Sequence, residues 1–72
     1  MSNKLGDFLK ATRKERGYTF FEVVKLTGLT KEHLSALEKG AEEEPTDRVL
    51  QILGSVYRIP TEHLKELNNG TN

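Results

Sequence analysis

The sequence predicts an all-α fold of five short helices. Apolar residues recur at helical spacing in five separate segments, and threonines suited to open helices alternate with glycines or prolines suited to end them. The linkers between segments are only a few residues long, which leaves no stretch for a sheet. At 72 residues without cysteine, the chain is a single small domain that must hold itself by its apolar core or by a partner. The domain is expected over residues 3–67, with residues 68–72 as a disordered tail.

Leu5, Phe8, Leu9 and Thr12 fall at i, i+3, i+4 and i+7, so a first helix from Lys4 to Arg16 turns one stripe inward and Gly17 stops it. Thr19-Phe20-Phe21-Glu22 has the spacing of a capping box and opens a second helix, with Phe20, Val23, Val24 and Thr27 on one side and Gly28 at its end. After Gly28-Leu29, Thr30 caps a third helix that runs to Lys39. Its inward positions are Leu34 and Leu37; Lys31, Glu32, Ser35 and Ala36 point outward.

Gly40 closes the third helix, and Ala41-Glu42-Glu43-Glu44-Pro45 reads as a loop because adjacent like charges repel and proline disfavours helical angles before it. Thr46 caps a fourth helix whose apolar residues Val49, Leu50, Ile52, Leu53, Val56 and Tyr57 cover more than one stripe. Either this helix is central, or the stripe Val49, Ile52 and Val56 serves a dimer interface. A last helix follows Pro60 over residues 61–67, with Leu64 and Leu67 inward.

Net charge is zero, from 11 basic and 11 acidic residues, which argues against a polycation that coats nucleic acid indiscriminately. The average conceals an asymmetry: residues 1–37 carry a net +3 and residues 38–72 a net −3. No segment approaches the roughly 18 apolar residues of a membrane span, and no signal peptide is recognisable, so a cytoplasmic location is expected. His33 and His63 lie far apart with no second ligand at helical spacing, so neither a metal nor another cofactor is expected. Nor does a nucleophile and base arrangement or a glycine-rich phosphate loop stand out, so the chain is read as a non-enzyme.

Two helices packed about a Gly28-Leu29-Thr30 turn meet the physical requirement of a helix-turn-helix. Arg13, Gly17-Tyr18-Thr19, Gly28-Leu29-Thr30, Leu34-Ser35-Ala36-Leu37-Glu38-Lys39-Gly40, Pro45-Thr46 and Ile59-Pro60-Thr61-Glu62-His63-Leu64 follow one another in an order and spacing that resembles the lambda-repressor-like, Cro-like helix-turn-helix (XRE) family of bacterial and phage regulators. The likeness covers about residues 4–67. It implies a transcriptional regulator that binds double-stranded DNA as a homodimer, with the third helix of each copy in the major groove. Carried over by position, Lys31, Glu32 and Ala36 meet base edges, with His33 and Ser35 nearby. Thr19, Thr30 and Lys39 meet phosphates.

The resemblance also implies that Arg13 pairs with Glu38 and turns its guanidinium toward a phosphate. Four departures from the family pattern matter, one of them Ala36, which cannot hydrogen-bond a base although its methyl can meet a thymine methyl. Phe20 stands where the family has a glutamine that touches the DNA backbone, so that contact is lost or replaced. Phe20 and Phe21, about 100° apart on a helix, cannot both face the core, and the resemblance makes Phe20 the exposed one. The loop after Gly40 is acidic where the family's is often basic, and Arg58 stands where a glycine often ends the fourth helix. A second reading follows from these departures: the fold serves as a protein-interaction or anti-repressor module, meeting its partner through Phe20, Phe21 or the acidic loop.

Overall fold

The computed structural model of the chain describes residues 4–41 and 45–69. Among these residues the elements are α1 (Lys4–Glu15), α2 (Phe20–Thr27), α3 (Lys31–Lys39), α4 (Asp47–Tyr57) and α5 (Thr61–Asn69), with no strand. Helices this short are marginal alone, so caps and tertiary packing must hold them.

The caps are built as the threonines predict. The Thr19 hydroxyl accepts the Glu22 backbone N–H at 3.1 Å while the Thr19 N–H donates to the Glu22 carboxylate at 2.7 Å, completing a reciprocal box. Thr30 accepts from the His33 N–H at 3.0 Å and Thr46 from the Val49 N–H at 3.2 Å. At the other ends, Gly17 and Gly40 take positive φ, and the residue after each closes a six-residue ring by donating back to Arg13 and Ala36 carbonyls at 3.0 and 2.8 Å.

Arg58 performs the same role after α4 with φ 60°, the one described non-glycine residue at positive φ. The turn thus keeps the backbone shape a glycine would give, with the Ile59 N–H donating to the Gly54 carbonyl at 2.9 Å. A side chain at that angle crowds its own carbonyl, at a cost of about 1 to 2 kcal/mol.

Leu5 and Leu9 from α1, Val23 from α2, Leu34 and Leu37 from α3, Val49, Leu50, Leu53 and Tyr57 from α4, and Leu64 from α5 form one core. α1 packs on α3 and α5, and α4 packs on α2 and α5. Each fully buried leucine contributes about 2 kcal/mol. α4 supplies four of these ten core residues, more than any other described helix. Val49 belongs to the core at 8% exposure and adds nothing to a spare stripe; Ile52 and Val56 remain half-buried. α5 runs through Asn68, half-buried, to Asn69, two residues past the end expected at Leu67, both asparagines keeping the backbone N–H that a proline would lack. The acidic stretch Glu42 to Glu44 and residues 70–72 lie outside the described residues.

The approach of α1 to α3 depends on Gly6. A methyl group at that position would stand 2.7 Å from the Leu37 carbonyl oxygen and 2.9 Å from that of Glu38, so only a glycine admits the two backbones this close. Above that contact, Arg13 reaches Glu38 through two parallel hydrogen bonds, Nε to Oε2 at 2.7 Å and Nη2 to Oε1 at 3.2 Å. Its Nη1 donates to the Tyr18 carbonyl at 3.3 Å. The side chains of the pair are 11% and 7% exposed, and hydrogen bonding to Glu38, opposed by burial, raises the Arg13 pKa above its ordinary value.

Beneath lies Tyr57, fully buried, whose hydroxyl has no hydrogen-bond partner among the described residues. Burial, reinforced by the Glu38 charge and opposed by Arg13, pushes the pKa of that hydroxyl up to about 12.

Three outcomes are expected. Arg13→Ala strands the Glu38 carboxylate at low exposure and should lower unfolding free energy by about 2 to 3 kcal/mol in urea titration. Arg58→Gly should raise it by about 1 kcal/mol, the greater freedom of glycine in the unfolded chain offsetting part of the relief. Tyr57→Phe removes an unpaired hydroxyl and should gain about 1 kcal/mol at neutral pH. Because the folded pKa of Tyr57 is raised, its contribution is intact below about pH 10 and lost as pH rises toward about 12; stability of the Tyr57→Phe variant should fall less steeply across that window.

Candidate nucleic-acid interface

α3 presents one outward face. Lys31, Glu32, Ser35, Ala36 and Lys39, spaced at i, i+1, i+4, i+5 and i+8, share it, and with Phe20 of α2 they line an open depression of about 490 Å³. Lys31, Glu32 and Lys39 are exposed, and Ser35, Ala36 and Phe20 are half-buried. Phe20 also borders a smaller depression of about 230 Å³ that it shares with Lys10, Arg13, Ser35, Glu38 and Lys39. These two hollows bring together most of the residues expected from the sequence. His33 stands apart, half-buried and outside the lining of either hollow.

The face is rigidly supported from behind. Leu34 and Leu37 anchor α3 in the core, and Glu38, next to Leu37 in the last turn, is gripped by Arg13. After its bonds to Glu38 and Tyr18, each terminal nitrogen of Arg13 keeps a second N–H. The hydroxyls of Thr19 and Thr30 are committed as acceptors to the caps, which leaves each O–H proton to donate outward. Both sit at helix N-termini, where the backbone carries partial positive charge.

The two phenylalanines are arranged differently from the sequence expectation. Phe21, 62% exposed, is the open one; Phe20 is packed against the core and still reaches the α3 face. The physical reason is the capping box, which fixes the start of α2 so that Phe20 lies on the same side as Val23 and Val24, and Phe21 is rotated out. The rings meet edge to face at 5.6 Å. The Arg13 guanidinium carbon lies 5.8 Å from the Phe20 ring centre and the Lys31 ammonium 5.8 Å from that of Phe21.

Sequence reasoning missed Lys10 and Leu26 as surface features. Lys10 lies beside α3 only because α1 crosses it at Gly6, and periodicity along α1 carries no sign of that crossing. Leu26, 56% exposed, borders a third depression with Tyr18, Glu22 and Lys25 on the far side of α2. For Leu26 a signal was available: it falls outside the Val23, Val24 and Thr27 stripe.

Comparison with known proteins places this geometry. A family model described as a helix-turn-helix domain matches residues 4–67. The HTH-type transcriptional regulator SinR of Bacillus subtilis (strain 168) is 27% identical over 67 residues, which cover 93% of this chain and 60% of SinR. SinR of Bacillus licheniformis is 29% identical over 55 residues, 76% of this chain and 50% of that protein. The chain thus spans about half to three-fifths of the length of these relatives. The solved N-terminal DNA binding domain of SinR from Bacillus subtilis superposes with a TM-score of 0.80 at 27% identity, over 88% of this chain and 91% of that domain. With this structural match and a family match across nearly all of its length, this chain belongs to the helix-turn-helix domain family, as an XRE-like member.

Proposed function

We propose that this chain binds double-stranded DNA as a transcriptional regulator and reads the major groove with α3. One observation carries the reading: Lys31, Glu32, Ser35, Ala36 and Lys39 form a single outward face on a helix clamped by Arg13 and Glu38. Lysine donates to the guanine O6 and N7 acceptors and glutamate accepts from the cytosine N4 amino group, so Lys31 and Glu32 suit adjacent base edges. Arg13, Lys39, Thr19 and Thr30 supply donors for phosphate oxygens. The similarity to the SinR regulators and to the DNA binding domain of SinR supports the same class of activity.

A nine-residue reading helix offers few base contacts, which favours binding as a homodimer on paired half-sites. Ile52 and Val56 are the apolar α4 residues left half-buried and are the proposed contact between copies. A second reading, a protein-interaction or anti-repressor module, draws on the exposure of Phe21 and Leu26 on α2.

Titration of specific and random duplexes across a salt series separates the two. Lys31→Ala should weaken the preferred site by about 1 to 3 kcal/mol and relax preference at one base pair. If duplex affinity and preference are unchanged by that substitution, α3 is not the reading helix and the protein-interaction reading takes its place.

A further inference from the structure

Phe20 has a surface that phosphate binding does not use. Its ring is fixed by the core on one side, by Phe21 edge-on, and by the Arg13 guanidinium near its face. The part left open lines the larger depression together with Ala36. An apolar wall therefore stands among groups chosen for polar recognition: Lys31, Glu32, Ser35 and Lys39 line the same hollow. The cations complement a polyanion, and Glu32 complements an exocyclic amine. The wall can complement neither.

Among the groups that base pairs present in the major groove, the one apolar group is the C5-methyl of a pyrimidine. We propose that Phe20 is a specificity-determining residue, which with Ala36 receives a pyrimidine C5-methyl group next to the base edges met by Lys31 and Glu32. The inference rests on the DNA-binding reading above and deepens it. Ala36 alone offers one methyl group; the ring supplies a second wall and a rigid one, because its position is set by contacts on three sides. The methyl belongs to thymine or to 5-methylcytosine. The latter keeps the N4 amino group that Glu32 accepts from, whereas thymine has a carbonyl in its place.

The test uses the whole chain and the duplex it binds best from a random-sequence pool. In one series each thymine of that duplex is replaced singly by deoxyuridine, which removes the methyl and leaves every hydrogen-bonding group. In a second series each cytosine is replaced singly by 5-methylcytosine. Burial of one methyl is expected to appear as an approximately fourfold effect at one position: a loss in the first series identifies thymine, a gain in the second identifies 5-methylcytosine. Phe20→Gln should bring that ratio close to one, and Phe20→Leu, which keeps an apolar wall, should preserve most of it. Thermal melting of both variants monitors folding, and the wild-type ratios stand independently of them.

A preferred duplex that responds to neither replacement overturns the methyl assignment and leaves DNA reading intact. A methyl effect unchanged in folded Phe20→Gln overturns the role of Phe20. If no duplex is preferred over random sequence, the DNA-reading proposal itself fails, and the methyl assignment with it.

Discussion

The bidentate pair between Arg13 and Glu38 is the constraint on which the arrangement of the outward α3 face depends. It joins the later half of α1 to the end of α3 across 25 residues of sequence, with both side chains largely removed from water. Such a pair is not a large net source of stability, since desolvation opposes the Coulomb attraction. Its value is geometric: two parallel bonds to a planar guanidinium fix both distance and rotation. The third bond, to the Tyr18 carbonyl, extends the same grip to the turn that starts α2. One side chain thus holds α1, the entry to α2 and the end of α3.

The pair is possible because the backbones beneath it are close. Gly6 lets α1 settle against the Leu37 and Glu38 carbonyls, and the left-handed turn at Gly40 carries the chain away immediately afterward. Arg16, nearly one helical turn beyond Arg13, donates to the Tyr57 carbonyl at 3.0 Å and closes the end of α4 against the end of α1. These contacts bury Tyr57 without giving its hydroxyl a partner among the described residues. The buried ring of Tyr57 lies 6.2 Å from that of Tyr18; the cost of its stranded hydroxyl falls on stability, not on the geometry of α3.

Charge acts at longer range than packing. The net +3 of residues 1–37 includes Lys10, Arg13 and Lys31, which line the hollows of the α3 face. The folded chain thereby collects part of its positive charge beside α3 even though the whole is neutral. Attraction of this kind is strongest at low ionic strength and is screened within about 10 Å at 0.1 M salt. Phe20 and Phe21 interrupt the polar edge, and the cations over their rings show how an apolar surface and positive charge can share one site.

Much of the fold was legible in the sequence because its determinants are local. Helix starts follow from a threonine oxygen within reach of a backbone N–H three residues on, and helix ends follow from glycine's tolerance of positive φ; both act over a single turn. The outward set on α3 was legible for the same reason, since Leu34 and Leu37 fix which side is inward. The pairing of Arg13 with Glu38 was implied only by the family resemblance, because nothing local joins residues 25 apart. The openness of Phe21 has a local cause in the capping box that starts α2; the burial of Val49, the approach of Lys10 to α3 and the need for glycine at position 6 were decided by tertiary structure alone. Each depends on how two helices cross, and a crossing is set by the shapes of both surfaces together, information that neither helix carries in its own periodicity.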